Sequence, residues 1–327
     1  MTKKYNCNEK NVSINNWLAI ILIVFLCLLT LLLSLHGIST VGRVAADRTD
    51  SASVVLPDAC DTSSAVWTGR YAFVFGGYNG SVIGSQPAFS NHIMRYDPVT
   101  DTAVFMNAVM PAGRGGTSAV WNGTHAFIFG GQFNSTAYIN KILRYDPVAD
   151  NITVMNATLP NPRGFTSAVW TGRYAYIFGG KNATSYFNDV LRYDPANDTI
   201  DVMGGTMPAA RLGSGAVWDG TYAYILGGRN DTMLFRRILR YDPGLDTVTP
   251  TSSDLPHWIV DLPAVWDGTY AYTFGGFNGT ECLDMIFRYH PATGNVTVMN
   301  ARLPGVRYAA CAVWADNAAY VFGGRIH

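Results

Sequence analysis

The sequence is poor in charge. Asp, Glu, Lys and Arg make up only 14% of its 327 residues, and 23 basic side chains balance 23 acidic ones. A chain without net charge or a basic tract has no electrostatic footprint for nucleic acid or for an anionic lipid surface. Cysteine is scarce as well: five residues, no CxxC pair and no Cys/His spacing suited to zinc. That excludes a disulfide scaffold. Cys7 and Cys27 fall before and within an apolar run, so Cys60, Cys282 and Cys311 allow at most one bridge; the other reading is three small buried side chains. The paired glycines end apolar runs rather than open helices, so no phosphate loop is present. No pair of carboxylates stands apart from the repeating background, and acid–base chemistry has no support.

One long apolar run exists. Residues 17–35 read WLAIILIVFLCLLTLLLSL without a charge, long enough to span a bilayer as a helix. Lys3, Lys4 and Lys10 precede it and only Arg43 and Arg48 follow closely, which predicts a cytoplasmic N-terminus and an exported remainder. The alternative is a cleaved signal peptide with a small-residue site at Val44-Ala45-Ala46; either reading exports the repeats. The expected organisation is a short cytoplasmic tail (1–16), a transmembrane signal anchor (17–35), a linker (36–42) and one folded domain (43–327).

What is abundant is glycine and aromatic residues, with 33 Gly, 18 Tyr and 16 Phe, a composition for short strands and tight turns. Glycine pairs stand at 76–77, 130–131, 179–180, 227–228, 275–276 and 323–324, spaced by 54, 49, 48, 48 and 48 residues. Nine residues before each pair is a tryptophan: Trp67, Trp121, Trp170, Trp218, Trp266 and Trp314. A fixed period near fifty marks an array of identical supersecondary units. Within one unit, Thr166 to Trp170 reads as a first strand and Tyr174 to Phe178 as a second. The second is almost wholly apolar, as expected of a strand buried on both faces. A variable loop leads to a third strand ending in Arg-Tyr-Asp-Pro, where Asp and Pro open a tight turn, and a fourth such as Ile152 to Met155 comes next.

Four antiparallel strands at this period make a propeller blade. The glycine pair after an apolar strand, the Tyr-Asp-Pro turn and the Pro-x-x-Arg before the next unit resemble the kelch repeat over about Arg43 to His327. The resemblance implies a kelch-type all-β propeller. One departure stands out: kelch repeats usually carry a Trp on the fourth strand, whereas here it closes the first. The sixth unit ends after two strands, and Asp50 to Pro57 mimics a fourth strand with Val41-Gly42-Arg43 as the start of a third. The expectation is therefore a six-bladed β-propeller of four-stranded antiparallel blades, its ring closed by N-terminal strands that complete the last blade, preceded by one N-terminal transmembrane helix.

Loops between strands two and three, and those from strand four to the next blade, share one face of such a ring. They carry Tyr78, Phe133, Tyr186, Phe187, Phe235, Arg236, Trp258 and Phe277 as candidate binding residues, together with His257 and the recurrent Arg114, Arg163, Arg211 and Arg307. Aromatics and Arg on variable loops suit a protein or glycan ligand; arginines recurring at one phase read better as structural. Some kelch-like propellers are copper oxidases resembling galactose oxidase. Here Tyr289-His290 lies in a turn on the other face, His257 on this one and His125 on a strand, so no copper set converges and no cofactor is expected. N-x-[ST] sequons occur at Asn79, Asn122, Asn134, Asn151, Asn156, Asn182, Asn197, Asn230, Asn278 and Asn295, candidates for glycosylation in an exported protein, although turns also select Asn followed by Gly or Thr. The functional expectation is a membrane-anchored, extracytoplasmic, non-catalytic module binding a protein or a glycan. The alternatives are an exported enzyme on the same scaffold and a structural surface component.

Overall fold

The structure, a computed structural model, describes residues 40–45, 48–58, 60–83 and 86–326. These form six four-stranded antiparallel sheets, one per repeat. In blade 3 the strands are Ser167–Trp170, Ala175–Phe178, Asp189–Asp194 and Thr199–Thr206, and blades 1, 2, 4 and 5 keep the same order. Blade 6 takes its inner strands from Cys311–Ala315 and Ala318–Phe322 and its outer ones from Thr40–Ala45 and Arg48–Val55. The register Val41↔Phe322 and Gly42↔Val321 shows the N-terminal segment sealing the ring by backbone pairing. Without that pairing the strand Ala318–Phe322 would present an open edge.

Second strands are buried along their whole length in blades 1 to 4, because each is covered by a neighbouring blade on both faces. Six interblade clusters result, each joining consecutive blades, for example Phe127, Phe129 and Leu159 of blade 2 with Ile177, Leu191 and Tyr193 of blade 3. First strands alternate: Ser167 and Val169 are buried while Ala168 and Trp170 stay partly accessible. All six tryptophans rest half-buried against these clusters at the axial end of strand one, which accounts for their departure from the usual kelch position.

Several expectations need correction. No helix occurs among the described residues, and none there is long and apolar enough to cross a membrane; the transmembrane helix expected over 17–35 lies outside the described residues. The first strand of the closing blade begins at Thr40, inside the stretch expected as linker. Fourth strands are eight residues long, Asn151–Thr158 in blade 2 running up to Leu159-Pro160, and the six-residue third strand pairs with both ends of it across a bulge. The longer first spacing of 54 residues houses an extra hairpin, Tyr78–Ile83 with Gln86–Phe89. Cys60, Cys282 and Cys311 are all buried, and no disulfide joins them to one another.

Candidate functional site

On the face carrying the glycine pairs, the loop entering each blade places one residue in the left-handed region: Thr62, Gly116, Phe165, Gly213, Asp261 and Ala309, with φ from 55 to 63°. Their backbones form a closed collar around the ring axis. The N–H of each donates to the carbonyl of its counterpart in the preceding blade, from Gly116 to Thr62 and Phe165 to Gly116 (both 2.6 Å) round to Thr62 and Ala309 (2.7 Å). Four of the six are not glycine, and a left-handed conformation costs such residues about 1 kcal/mol or more each. Six mutual hydrogen bonds hold them there.

Above the collar opens a funnel of about 490 Å³. Five of the six residues that follow a glycine pair line its wall, Tyr78, Gln132, Lys181, Arg229 and Arg325; these and Phe277 at the sixth position are each bridged by backbone pairing to the loop entering their own blade. The glycines are required one step earlier. A Cβ on Gly180, at φ 92°, would stand 2.6 Å from the Gly164 carbonyl oxygen and from the Thr166 methyl group. The ring is chemically irregular, unlike the scaffold beneath it. Arg325 donates from Nε and Nη2 to the buried Asp61 carboxylate at 2.7 and 2.6 Å. Burial raises Asp61 above the ordinary carboxylate range, against the pull of Arg325. Asp261, on the collar, is pushed up to about 6 by burial and by Asp61, while Arg229 and Arg325 oppose the shift. Lys181 is held below its ordinary value by burial and by the neighbouring Arg229 charge. Neither Lys181 nor Arg229 has a carboxylate within 4 Å among the described residues; Lys181 lies 5.5 Å from the Tyr186 ring. Tyr138, Phe165 and Tyr308 complete the funnel's aromatic lining.

The predicted binding residues divide between this funnel and other places. Tyr78 lines the funnel, Phe277 holds the equivalent position after its glycine pair and packs on Tyr308, and Tyr186 lies beside Lys181. Phe133 is exposed on its loop. Phe187 and Phe235 serve the scaffold instead: they cover the guanidinium groups of Arg163 at 3.9 Å and of Arg211 at 4.3 Å. Arg236 lies 4.9 Å from the ring of Trp258, an exposed pair beside strand three of blade 4. The recurrent Arg114, Arg163, Arg211 and Arg307 are buried, and the Nη1 of each donates to the first glycine carbonyl of its own blade: Gly130, Gly179, Gly227 and Gly323. Their role is structural. Arg163 adds a two-pronged pair with Asp189 at 2.5 and 2.9 Å. Sequence reasoning missed Lys181, Arg229, Arg325, Asp61 and Asp261. The signal was present in the one position after the glycine pair that changes chemistry from copy to copy.

Five sequons have a conformational cause. The Oδ1 atoms of Asn134, Asn182, Asn230 and Asn278 each accept two backbone N–H bonds and the hydroxyl of the Thr two residues on, and Asn122 does the same in a turn on the opposite face. Asn-x-Thr is thus a turn motif of this fold, whatever it carries. The histidines lie apart: His92 is 3.9 Å from Asp58 and His125 is 3.7 Å from Asp146. His257 packs on Phe287, and His290 packs on Tyr270. Among the described residues no group of three His, Cys, Asp or Glu is placed to hold a metal ion.

A family model for the KLHDC2/KLHL20/DRC7 kelch-repeats domain matches residues 62–254, more than half the chain. The chain belongs to the kelch-repeat family. Kelch propellers are typically protein-interaction scaffolds, so the family places the interest of this molecule in what its loops present. Among curated proteins none matches the chain.

Proposed function

We propose that this kelch propeller is a non-catalytic interaction module that takes an acidic segment of a protein partner into the funnel. The observation carrying this reading is the ring after the glycine pairs. Six positions made equivalent by the fold hold Tyr, Gln, Lys, Arg, Phe and Arg, while the scaffold positions around them repeat. Arg325 is already matched by Asp61, whereas Lys181 and Arg229 sit together over the blade 3 and 4 sector with only Asp261, pushed up to about 6 by burial, nearby. Crowded cations in a partly desolvated concavity favour an incoming carboxylate, and the aromatic walls supply apolar contact around it. The test is a display of random peptides selected on the purified chain. Acidic peptides should be enriched by the natural protein and lost with Lys181→Glu/Arg229→Glu, while Arg236→Glu, outside the funnel, leaves selection unchanged. Identical peptides from the double variant would sink the reading.

A further inference from the structure

Blade 5 carries a histidine where four other blades carry an aspartate. At the turn after strand three, Asp97, Asp146, Asp194 and Asp242 each accept the backbone N–H two residues on, from Val99, Val148, Ala196 and Gly244, at 2.9 Å. His290 fills the same place, and its Nδ1 takes over the turn: Thr293 N–H donates to it at 3.1 Å, and the Thr293 hydroxyl lies 3.0 Å away. The exchange keeps the turn and inverts what is left over. An aspartate has a second acceptor oxygen and a negative charge; in Asp194 that oxygen accepts from the Asn197 amide, and in Asp146 it faces His125 at 3.7 Å. A neutral histidine that accepts at Nδ1 carries its proton on Nε2, so its remaining polar atom is a donor.

Around His290, blade 5 gathers side chains that can all donate. Across the strands His290 pairs with Asn295 and Arg288 with Thr297. Both His290 and Arg288 lie against the Tyr270 ring, the imidazole at 4.9 Å and the guanidinium carbon at 4.6 Å from its centre. A cavity of about 210 Å³ opens here, on the face opposite the funnel, lined by these five residues and Thr293 with no carboxylate among them. An arginine with no carboxylate within 4 Å recurs at Arg95, Arg144 and Arg240, so Arg288 alone marks nothing. In those blades the aspartate two residues on supplies negative charge, and in blade 5 that charge is gone. Asp267, in the turn before strand two, is held by the Thr269 and Tyr270 N–H groups at 2.7 and 2.6 Å and does not line the cavity. Arg288 also bonds the Tyr272 hydroxyl and keeps further N–H groups for a ligand.

We infer that this cavity is a binding site for a tetrahedral oxyanion, a phosphate or sulfate group, held between Arg288 and the Nε2–H of His290. Arg288 supplies charge and a fork of donors for two of its oxygens. The His290 Nε2–H, the Asn295 amide and the Thr297 hydroxyl supply single donors for the others. The volume is below the roughly 300 to 1,000 Å³ of a drug-sized pocket, so the site takes a small anion or the anionic end of a larger ligand.

The test follows the backbone amide signals of residues 288–297 of the full chain by NMR while inorganic phosphate, sulfate or acetate is added at constant ionic strength and neutral pH. Phosphate or sulfate should shift these signals saturably with millimolar or better affinity, the tighter of the two naming the group, and acetate should bind at least about tenfold more weakly. Two variants each install a residue that another blade already holds. His290→Asp restores the aspartate of blades 1 to 4, and Thr297→Asp sets a carboxylate opposite Arg288 as Asp201 stands opposite Arg192, paired at 2.7 Å, in blade 3. Both should fold with a melting temperature close to that of the natural chain and lose at least about tenfold in oxyanion affinity. No saturable shift with either oxyanion, acetate matching them, or affinity retained in either folded variant would each overturn the assignment. Signals around Lys181 and Arg229 report the funnel separately, so neither reading depends on the other.

Discussion

Replacing Asp198 by Ala removes one interblade latch and should be among the most damaging single changes outside the core. Three hydrogen bonds end on that carboxylate: Asn156 N–H at 2.7 Å, Ala157 N–H at 3.3 Å and the Tyr193 hydroxyl at 3.1 Å. Hydrogen bonds to a charged acceptor contribute about 1.5 to 3 kcal/mol each, and the two N–H groups lie near solvent, so roughly 1 kcal/mol apiece is reasonable for them. The Tyr193 ring is fully buried, and its hydroxyl is pushed far above its ordinary range by burial and by Asp198, which keeps it a donor. Losing its acceptor costs about 1 to 2 kcal/mol. Ala must also hold the left-handed conformation that Asp tolerates, a further cost of about 1 kcal/mol. The sum is about 4 to 5 kcal/mol, or roughly 7 to 8 °C for a propeller of about 290 residues. Asp198→Asn keeps the conformation and part of the bonding and should lose about half as much. Asp201→Ala is the matched control. It breaks an exposed ion pair with Arg192 and should cost under about 1 kcal/mol. Differential scanning calorimetry of the three variants decides it: Asp198→Ala melting with Asp201→Ala would refute the latch.

The fold and the funnel each yield a further expected outcome. Deleting residues 40–55 exposes the edge of Ala318–Phe322 and opens the ring, so the truncated chain should lose cooperative melting and aggregate; an unchanged transition would rule out closure by these strands. Asp261 has a folded pKa of about 6, above its unfolded value, so the folded state binds the extra proton between roughly pH 4 and 6. Its contribution to stability is therefore most favourable at low pH and is lost as pH rises through 6. Asp261→Asn should melt at or above the natural chain at pH 7, and the gap should close on acidification; a gap that widens towards pH 4 would contradict the assignment.

Much of the architecture is legible in the chain because it rests on local chemistry repeated in phase. A glycine pair whose Cβ atoms would strike neighbouring carbonyls, an Asp-Pro turn and an apolar second strand are each sufficient to place their element. The arginines show the same logic: recurring at one phase, they read as structural, and Arg163 and Arg211 are buried with their side chains bonded to the glycine carbonyl of their own blade. Phe187 and Phe235 show its limit. Their variable loops suggested ligand anchors, yet what each ring covers is an arginine some 24 residues earlier in the chain, a relation no local pattern encodes.

By itself, then, the sequence determined the number of blades, the strand order within each and the closure of the last by the N-terminal segment, because each depends on spacing and on residues adjacent in the chain. Only the tertiary structure decided which side chains converge. The collar and the cations of Lys181 and Arg229 above it arise from residues one or more repeats apart that converge only when the ring closes. Convergence of that kind is set by the summed geometry of six blades, and charge or burial acquires its meaning there.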